Sequence, residues 1–368
     1  MTAVRISSAV MTHPVRKAQA EELAERLGLG GLALDPDPDG PPSALRTALV
    51  AWAAAAPYAS HHLVVQDDVS GPDILLDLVS KAVSRFPDEA LVFYTNWHAR
   101  NGSASRLAAL AGAAWVRAVP DEFTPSLGVC LPVGVAAEFR EYARDSVERH
   151  DDELLTRFFR SRGRMGLLAV PNVLEHIGTS SINGHATQGI RLAVCPTDAE
   201  DAEPLLRDGW VLEDLDWLPY MRYGEGYVRL AGQENDPDGG RGHHRWQDAL
   251  PRIGLTEERV RDTVAERMPV DLAADVARVF GAGFAQELWI HCLMLGRQAT
   301  VALDRHAPEG ARSTTAPAHG RLMEAAVSTV GPAGLPPERR PEAGPAQKRL
   351  MTEFAWSAIR CGKLLLDR

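Results

Sequence analysis

The sequence predicts an α/β fold: a mainly parallel sheet with helices on both faces, and a helical region toward the C-terminus. Two observations support this prediction. In the first half of the chain, short apolar runs alternate with amphipathic helical patterns, the order that produces parallel strands joined by helices. After Thr256, helical patterns follow one another to the end of the sequence. At 368 residues, the chain is long enough for two or three domains.

Apolar runs of strand length alternate with helical patterns of 9 to 14 residues along the first half. Gly28 follows one helical pattern in the position of a C-terminal cap, and Ser43 precedes the next one. The predicted strands are residues 4–10, 32–34, 62–65, 90–94, 115–118 and 166–170. The predicted helices are residues 17–27, 43–56, 132–144 and 152–160, with a further helix that opens at Pro72.

The second half has a different pattern. Residues 210–230 are aromatic and acidic, and are expected to form strands or a loop packed on the sheet. The helices predicted beyond them are residues 256–268, 272–280, 285–304 and 346–366. We therefore expect an α/β domain over residues 1–192, a connecting extension over 193–245 and a helical region over 246–368.

Composition argues against several classes of function. The chain has 39 Lys and Arg against 49 Asp and Glu, a formal net charge of -10. Such a surface repels a phosphate backbone and an anionic membrane, so we expect no nucleic-acid partner. We also expect no membrane span, because Glu287, His291 and Arg297 interrupt the apolar segment 284–303. The four cysteines are far apart in the sequence, which is typical of buried thiols in a reducing cytoplasm.

The clearest chemical motif is a buried strand that stops at adjacent carboxylates. The apolar run 62–65 ends in Gln66, Asp67 and Asp68. In open α/β sheets, ligands bind beyond the carboxyl ends of the strands, and carboxylates there suit a hard divalent cation. The alternative is that Asp67 and Asp68 only begin the turn before Gly71.

A second motif follows the last predicted strand of the first half. This segment, residues 170–185, carries His176 and then the hydroxyl groups of Ser180 and Ser181. Imidazole is a common ligand for Mn²⁺ or Zn²⁺, and hydroxyl groups can contact phosphate oxygens. A structural role for a single histidine after a strand remains the alternative.

A third motif is the run of acids that opens the helix at residues 152–160. Asp151, Asp152 and Glu153 stand where carboxylates stabilise the helix dipole and cap free N–H groups. The functional alternative is a general base held at the mouth of a site.

Taken in order, these segments resemble the GT-A family of nucleotide-sugar glycosyltransferases, whose fold is Rossmann-like. The resemblance covers about residues 4–190 and is nearest to the branching N-acetylglucosaminyltransferases and related bacterial enzymes. No single motif is specific; the order of the motifs and their placement at strand ends carry the resemblance. The segments that match are residues 10–16, residues 35–40 with Arg46, residues 66–68, residues 151–152 and residues 171–181.

The resemblance implies a set of roles for residues in this sequence. Asp68 and His176 are implied as the ligands of Mn²⁺ or Mg²⁺. Asp152, or failing that Asp151, is implied as the catalytic base. The residues implied in binding the nucleotide sugar are Thr12, His13, Pro14, Arg16, Asp35, Arg46, Gln66, Asp67, Ser180 and Ser181. Gln66 departs from the family, which has an acid there, so a weak metal site, or a metal-independent or inactive variant, is expected.

The function implied is transfer of a sugar from a nucleotide diphosphate donor, a UDP-sugar being the first choice, to an unknown acceptor hydroxyl. Transfer by direct displacement with one base inverts the anomeric carbon. Two alternatives remain open: a non-catalytic protein that binds a sugar or a partner on this fold, and a sugar nucleotidyltransferase. The latter is weakened because residues 10–17 contain no glycine. Homodimerisation through the C-terminal helices is a further expectation.

Overall fold

The computed structural model describes residues 4–177, 191–232, 242–309 and 317–366. These residues form two compact units. The first contains residues 4–96, 114–177 and 191–209, and the second contains the remaining described residues, from 97–113 and from 210 onward. The units differ from the boundaries expected from the sequence, because residues 97–113 interrupt the first unit and belong to the second.

The strands are short and the helices mostly have about three turns. The strands are β1 (Ile6–Thr12), β2 (Leu32–Leu34), β3 (His61–Gln66), β4 (Val69–Ser70), β5 (Leu91–Val92), β6 (Trp115–Arg117), β7 (Gly128–Pro132), β8 (Leu167–Ala169), β9 (Glu175–His176), β10 (Val211–Leu212), β11 (Trp217–Arg222), β12 (Glu225–Leu230) and β13 (His243–Arg245). The helices are α1 (Lys17–Leu27), α2 (Ala44–Ala53), α3 (Leu75–Arg85), α4 (Arg100–Leu110), α5 (Val133–Ala143), α6 (Asp151–Ser161), α7 (Ala199–Asp208), α8 (Trp246–Ala249), α9 (Glu257–Arg267), α10 (Val270–Phe280), α11 (Ala282–His306), α12 (Pro317–Ser328), α13 (Val330–Gly334) and α14 (Pro345–Cys361).

The first unit is built on a mixed sheet in which most strands point the same way. β1 pairs in parallel with β2 and β3, and β5 in parallel with β8. β7 lies between β3 and β5 and is antiparallel to both, and β6 is antiparallel to β8. Among the described residues this sheet has eight strands; those of the first unit lie in the order β6-β8-β5-β7-β3-β1-β2. β1, β2, β3, β5 and β8 run one way and β6 and β7 the other, so the predicted mainly parallel sheet is confirmed.

Apolar side chains explain why the sheet and its helices assemble. Leu63, Val64 and Val65 of β3 are fully or almost fully buried, as expected for a strand covered on both faces. In α3, Leu78 and Val79 are also fully buried, so this helix presents one apolar face to its neighbours. Burial of this apolar surface is the main force that holds the unit together.

Four elements of the first half, β4, α4, β7 and β9, were not predicted, and β7 and α4 were missed for different reasons. β7 was missed because residues 128–132 precede a predicted helix, and their strand conformation depends on pairing with β3 and β5. α4 was missed because it has no polar face: Asn101, Ser103 and Arg106 are buried along with its alanines. A helix that is buried all round lacks the period on which sequence prediction depends.

The second unit is mainly helical, as the sequence predicts for its C-terminal part. α9, α10, α11 and α14 lie within two or three residues of the predicted bounds except at the C-terminal end of α14. Part of the aromatic segment 210–230 forms β11 and β12, which join β13 in an antiparallel sheet. Among the described residues, no helix is both long enough and apolar enough to cross a membrane.

Candidate functional site

The candidate site lies at one edge of the sheet of the first unit, where β1 and β3 end. Thr12 is the last residue of β1, and Gln66 is the last residue of β3. Because β7 runs the other way, its first residues reach the same edge, and the Gln66 N–H donates to the Leu127 carbonyl oxygen at 3.0 Å. Side chains from distant parts of the sequence therefore meet beyond the carboxyl ends of parallel strands, the usual place for a ligand in an open α/β sheet.

Asp67 is buried and held on three sides. Its carboxylate accepts a hydrogen bond from the Thr12 hydroxyl and lies 3.1 Å from Nη1 of Arg16. The Asp67 carbonyl oxygen accepts a bond from Gln19 Nε2 at 2.9 Å. Burial raises the pKa of Asp67, and the Thr12 and Arg16 contacts oppose that shift. The structure thus brings Thr12, Arg16 and Asp67 together, but both carboxylate oxygens of Asp67 are already hydrogen-bonded by Thr12 and Arg16.

Asp68 and His176 form the centre of the site. Oδ2 of Asp68 lies 3.5 Å from Nε2 of His176 and 3.5 Å from Nη1 of Arg16. Oδ1 of Asp68 is buried and has no hydrogen-bond partner among the described residues. Burial favours the neutral form of Asp68, but the imidazole and the guanidinium groups of Arg16 and Arg191 outweigh it and lower the pKa. The structure therefore places at the strand ends an ionised carboxylate, one oxygen of which is not bonded by any described residue.

Pairing of β4 with β9 brings His176 to Asp68. Val69 is opposite His176 in this antiparallel pair, and the Ile177 N–H donates to the Asp68 carbonyl oxygen at 2.9 Å. Arg191 Nη2 lies 3.1 Å from His176 Nε2, so this nitrogen can accept from Arg191 or donate to Asp68, but not both at once. The predicted neighbours Asp68 and His176 are therefore adjacent in space although 108 positions separate them.

Sequence reasoning did not find the residues that surround this pair. The Tyr94 hydroxyl donates to the Arg191 carbonyl oxygen at 2.6 Å. Glu175 Oε1 accepts from the N–H groups of His176 at 2.8 Å and Ala193 at 2.7 Å. No pattern in the sequence singles out Arg191, which lies six positions beyond the motif at residues 170–185. Tyr94 could have been found, since it ends the predicted strand 90–94 and so falls at the same edge of the sheet.

Ser126 contacts this edge and lies near the acidic pair at the start of α6. Gln66 Nε2 donates to the Ser126 hydroxyl oxygen at 2.9 Å. Burial raises the pKa of Asp151, and the Ser126 hydroxyl group opposes that shift. Burial together with the charge of Asp151 raises the pKa of Asp152 to about 7. Asp152 Oδ1 accepts from the Glu153 N–H at 2.8 Å, so the capping role also exists. A carboxyl group that titrates near neutrality is suited to accept a proton.

Asp35 and Arg46 are bound to each other. Arg46 Nε and Nη2 donate to the two carboxylate oxygens of Asp35 at 2.7 and 2.8 Å. The guanidinium group, by direct hydrogen bonding, holds the pKa of Asp35 below its usual value. Arg46 also donates to the Asp37 carbonyl oxygen, which closes the loop after β2. This pair stabilises the loop, and both oxygens of Asp35 are already in use.

His13 and Pro14 have structural contacts of their own. Pro14 begins a short 3₁₀-helix, Pro14–Arg16, and His13 caps it by accepting from the Val15 N–H at 3.3 Å. His13 Nε2 lies 3.2 Å from the carbonyl oxygen of Pro38, across the loop that follows β2. The 3₁₀-helix thereby positions Arg16 toward Asp67. Ser180 and Ser181 lie outside the described residues.

The described residues at this site do not fit a divalent metal ion. Within the described ranges, no group of three or more His, Cys, Asp or Glu side chains is placed to hold one. Asp68 and His176 supply two donor atoms, and a guanidinium group lies 3.1 to 3.5 Å from each. A divalent cation between them would be repelled by both arginines at close range. Arg16 and Arg191 thus bring positive charge to the position expected for the metal.

The comparisons with known proteins leave the family open. No protein-family model matches the chain, and no curated protein matches it. An α/β fold hosts many unrelated activities, so the fold alone does not identify a function. The function has to be argued from the residues at the strand ends.

Proposed function

We propose that the first unit is a glycosyltransferase that moves a sugar from a nucleotide diphosphate donor, a UDP-sugar, to an acceptor hydroxyl with inversion. The observation that carries the proposal is the meeting of Thr12, Arg16, Asp67, Asp68 and His176 at one edge of the sheet. These residues come from three segments that the GT-A resemblance singles out. Their position beyond the ends of parallel strands is where α/β proteins bind nucleotides.

The arginines support binding of the donor diphosphate. Arg16 is only partly buried, and its guanidinium group faces Asp67 and Asp68 at 3.1 and 3.5 Å. Guanidinium groups bind phosphate oxygens through paired N–H groups, and fixed positive charge stabilises the negative charge that develops on the departing nucleotide. Arg191 adds a second such group beside His176. No step of the proposed reaction is assigned to a metal ion.

Asp68 and Asp152 have separate roles in the proposal. The free Oδ1 of Asp68 accepts a hydrogen bond from a donor hydroxyl group, which orients the sugar. Asp152 takes the proton from the acceptor hydroxyl as its oxygen bonds to the anomeric carbon. The bond from that carbon to the diphosphate oxygen breaks at the same time, and the electron pair leaves with the nucleotide. One displacement from the opposite face inverts the carbon.

One observation favours the non-catalytic alternative. Asp35 and Asp67, two acids implied in donor binding, already have both carboxylate oxygens engaged by neighbouring side chains. A protein that binds a sugar or a partner without chemistry has no need of a base that titrates near neutrality. Hydrolysis of the donor separates the two functions, because a binding protein leaves the nucleotide sugar intact.

The cytoplasmic location remains part of the proposal. The four cysteines are free thiols, and Cys130, Cys195 and Cys292 are buried. Burial raises the pKa of the Cys130 and Cys292 thiols, which keeps them protonated and unreactive. Free thiols are common in proteins of a reducing compartment.

The proposal is tested with nucleotide diphosphates and their sugars. We expect UDP to raise the melting temperature of the protein in EDTA as well as with Mn²⁺ or Mg²⁺, since binding to the folded form stabilises it. We expect slow hydrolysis of a UDP-sugar, followed by chromatography of the released nucleotide. If no nucleotide diphosphate binds under any of these conditions, the proposal is wrong. If UDP binds only with Mn²⁺, the nucleotide donor is supported and the metal ion predicted from the sequence is part of the site.

Asp152→Asn tests the base. We expect this variant to lose at least a hundredfold in donor turnover while its affinity for UDP stays within about twofold, because the base acts on the acceptor. Asp145→Asn, an exposed acid on the loop between α5 and α6, is the matched control and is expected to turn over normally. Equal loss of UDP binding and turnover in Asp152→Asn would instead indicate a structural role.

A further inference from the structure

The chain at Arg191 lies at the edge of the sheet that carries the candidate site. β5 runs in the same direction as β3, because β7 is antiparallel to both, so the chain beyond β5 reaches that edge. The Val194 N–H donates to the Thr95 carbonyl oxygen at 2.9 Å, and Ala193 is paired with Asn96 in an antiparallel bridge. Pairing with the chain beyond β5 therefore places Arg191 among the strand ends.

Two side chains hold the backbone around Arg191. The Tyr94 hydroxyl donates to the Arg191 carbonyl oxygen at 2.6 Å, and Tyr94 is only 3% exposed. Glu175 Oε1 accepts from the Ala193 N–H at 2.7 Å and from the His176 N–H at 2.8 Å, which attaches this segment to β9. Hydrogen bonds shielded from water are stronger than exposed ones, so these contacts fix the position of the Arg191 backbone.

Asn172 holds the same segment a few residues farther along. The Asn172 N–H donates to the Cys195 carbonyl oxygen at 2.9 Å, and Asn172 Oδ1 accepts from the Cys195 N–H at 3.1 Å. Asn172 Nδ2 donates to the carbonyl oxygen of Ala169, the last residue of β8, at 3.0 Å. The segment is therefore attached to the ends of both β5 and β8, which are neighbouring strands of the sheet.

The side chain of Arg191 is held by His176. Nη2 of Arg191 lies 3.1 Å from Nε2 of His176, within normal hydrogen-bond distance. A guanidinium group can only donate, so Nε2 is the acceptor and the proton of the neutral imidazole is on Nδ1. Oδ2 of Asp68 lies farther from the same nitrogen, at 3.5 Å. The geometry therefore favours acceptance from Arg191 over donation to Asp68.

This contact uses the lone pair with which His176 would bind a metal ion. Imidazole ligates a metal through an unprotonated ring nitrogen, and here Nε2 is hydrogen-bonded while Nδ1 carries the proton. Because the acceptor is uncharged, the contact does not neutralise Arg191. Among the described residues, the Arg191 guanidinium group hydrogen-bonds to His176 alone, so its other N–H groups are available to phosphate oxygens.

We propose that the Arg191 guanidinium group is fixed at the place predicted for a metal ion, where it binds the donor diphosphate. Its positioning residues are Tyr94, Glu175 and His176. This inference rests on the proposed function, which supplies the diphosphate. Arginine has a long, flexible side chain, and holding it beforehand reduces the entropy that is lost when phosphate binds. A guanidinium group fixed in this way stabilises the charge of the departing nucleotide without reorganisation.

A double-mutant cycle tests whether Tyr94 acts through Arg191. We expect Arg191→Met, which removes the charge and keeps the stem, to raise the dissociation constant for UDP in EDTA about tenfold to a hundredfold. Tyr94→Phe removes one hydroxyl group and keeps the ring, and should raise the constant about fivefold. In the Arg191→Met background, its effect should be less than about twofold, because the side chain that it positions is gone. In the Arg16→Gln background, its effect should stay about fivefold. An equal effect of Tyr94→Phe in both backgrounds would overturn the inference.

Control variants separate positioning from a merely structural role. Tyr58→Phe removes the hydroxyl group of an exposed tyrosine of the first unit and should leave the affinity for UDP unchanged. Glu175→Gln keeps an acceptor oxygen for the Ala193 N–H and should stay within about twofold of the wild type, whereas Glu175→Ala should weaken UDP binding about fivefold. A lower melting temperature of Glu175→Ala with unchanged affinity for UDP would show that Glu175 is only structural, contrary to the inference.

The contact between Arg191 and His176 can be measured without a ligand. In protein labelled with ¹⁵N in the histidine rings, His176→Gln assigns the His176 signals. At about pH 8.5, where free imidazole is neutral, the shifts of the two ring nitrogens report which one carries the proton. We expect Nδ1 in the wild type and Nε2 in Arg191→Met, where Asp68 is left as the partner of Nε2. A proton on Nε2 in the wild type would mean that His176 donates to Asp68, and the inference would be wrong.

These measurements distinguish failure of the inference from failure of the proposed function. If UDP binds to the wild type and to Arg191→Met equally well, the inference is wrong and the proposed function stands. If the wild type binds no nucleotide diphosphate, the proposed function is wrong and the donor role of Arg191 fails with it. The ring nitrogen signals then still decide whether His176 holds Arg191.

Discussion

Asp67 and Asp68 are neighbours in the chain, yet their pKa values move in opposite directions. Burial raises the pKa of Asp67, whose partners are a neutral hydroxyl and one guanidinium group, and the charge of Asp68 adds to the shift. Burial acts on Asp68 too, but His176, Arg16 and Arg191 together outweigh it. The difference follows from side-chain direction at a strand end, which turns one carboxylate toward Thr12 and the other toward His176. The charge stays on Asp68 at the centre of the site.

Arg16→Gln tests the residue on which donor binding depends. We expect the dissociation constant for UDP in EDTA to rise about tenfold to a hundredfold, since charge-assisted hydrogen bonds are worth about 1.5–3 kcal/mol. Arg26→Gln removes a more exposed guanidinium group from the same region, on α1, and serves as the control. Isothermal titration calorimetry gives both constants. If the two variants bind UDP with equal affinity, Arg16 does not take part in donor binding.

At the scale of the element, α1 shows how local sequence rules determine a helix and position a functional side chain. It begins directly after the 3₁₀-helix that carries Arg16, and it ends at Gly28, whose N–H bonds back to Ala24 and Glu25. Gly28 has φ of 64°, a left-handed conformation that side chains with a Cβ atom disfavour. The predicted and observed bounds of α1 agree because both ends depend on residues within a few positions of the helix.

Gly28→Ala is expected to destabilise the protein by about 1–2 kcal/mol, the cost of the left-handed conformation for a residue with a Cβ atom. No atom lies within 4 Å of the position that the new Cβ would occupy, so a steric clash does not contribute. Gly134→Ala, on α5, also meets nothing within 4 Å and is expected to stabilise by about 0.5 kcal/mol through helix propensity. Urea unfolding of the two variants measures both changes. If both substitutions change the free energy of unfolding in the same direction, the role assigned to the backbone conformation of Gly28 is wrong.

At the scale of the whole molecule, the two compact units do not follow the order of the chain. Residues 97–113, which include α4, lie between strands of the first unit in sequence but belong to the second. Within the second unit, Arg106 of α4 donates to the hydroxyl and carbonyl oxygens of Thr329 at 3.0 and 3.1 Å. The same unit buries His291 on α11, and no described residue hydrogen-bonds its Nδ1. Association of copies through the C-terminal helices remains a prediction.

His291→Gln tests how this buried imidazole affects stability. Burial, together with the charge of Arg106, lowers the pKa of His291 to about 3. The unfolded chain binds a proton here below about pH 6.5 and the folded chain does not, so stability is lost as the pH falls from about 6.5 toward 3. We expect the variant to lose stability over this range less steeply, by about 1.4 kcal/mol per pH unit. His306→Gln, at the exposed end of the same helix, should leave the slope unchanged in urea unfolding between pH 4 and 6.5; an unchanged slope in His291→Gln would contradict the assignment.

The sequence by itself determined the α/β class, most of the helices and the residues that end β1 and β3. These features depend on apolar periods, caps and strand ends, which act over a few neighbouring positions. Only the tertiary structure decided that α4 and β7 form, that Arg191 reaches His176 and Tyr94 reaches Arg191, and that Gln66 bonds to Ser126. Such contacts join residues separated by many positions and depend on which strands become neighbours. No local pattern specifies them, because their free energy comes from groups that meet only after the chain has folded.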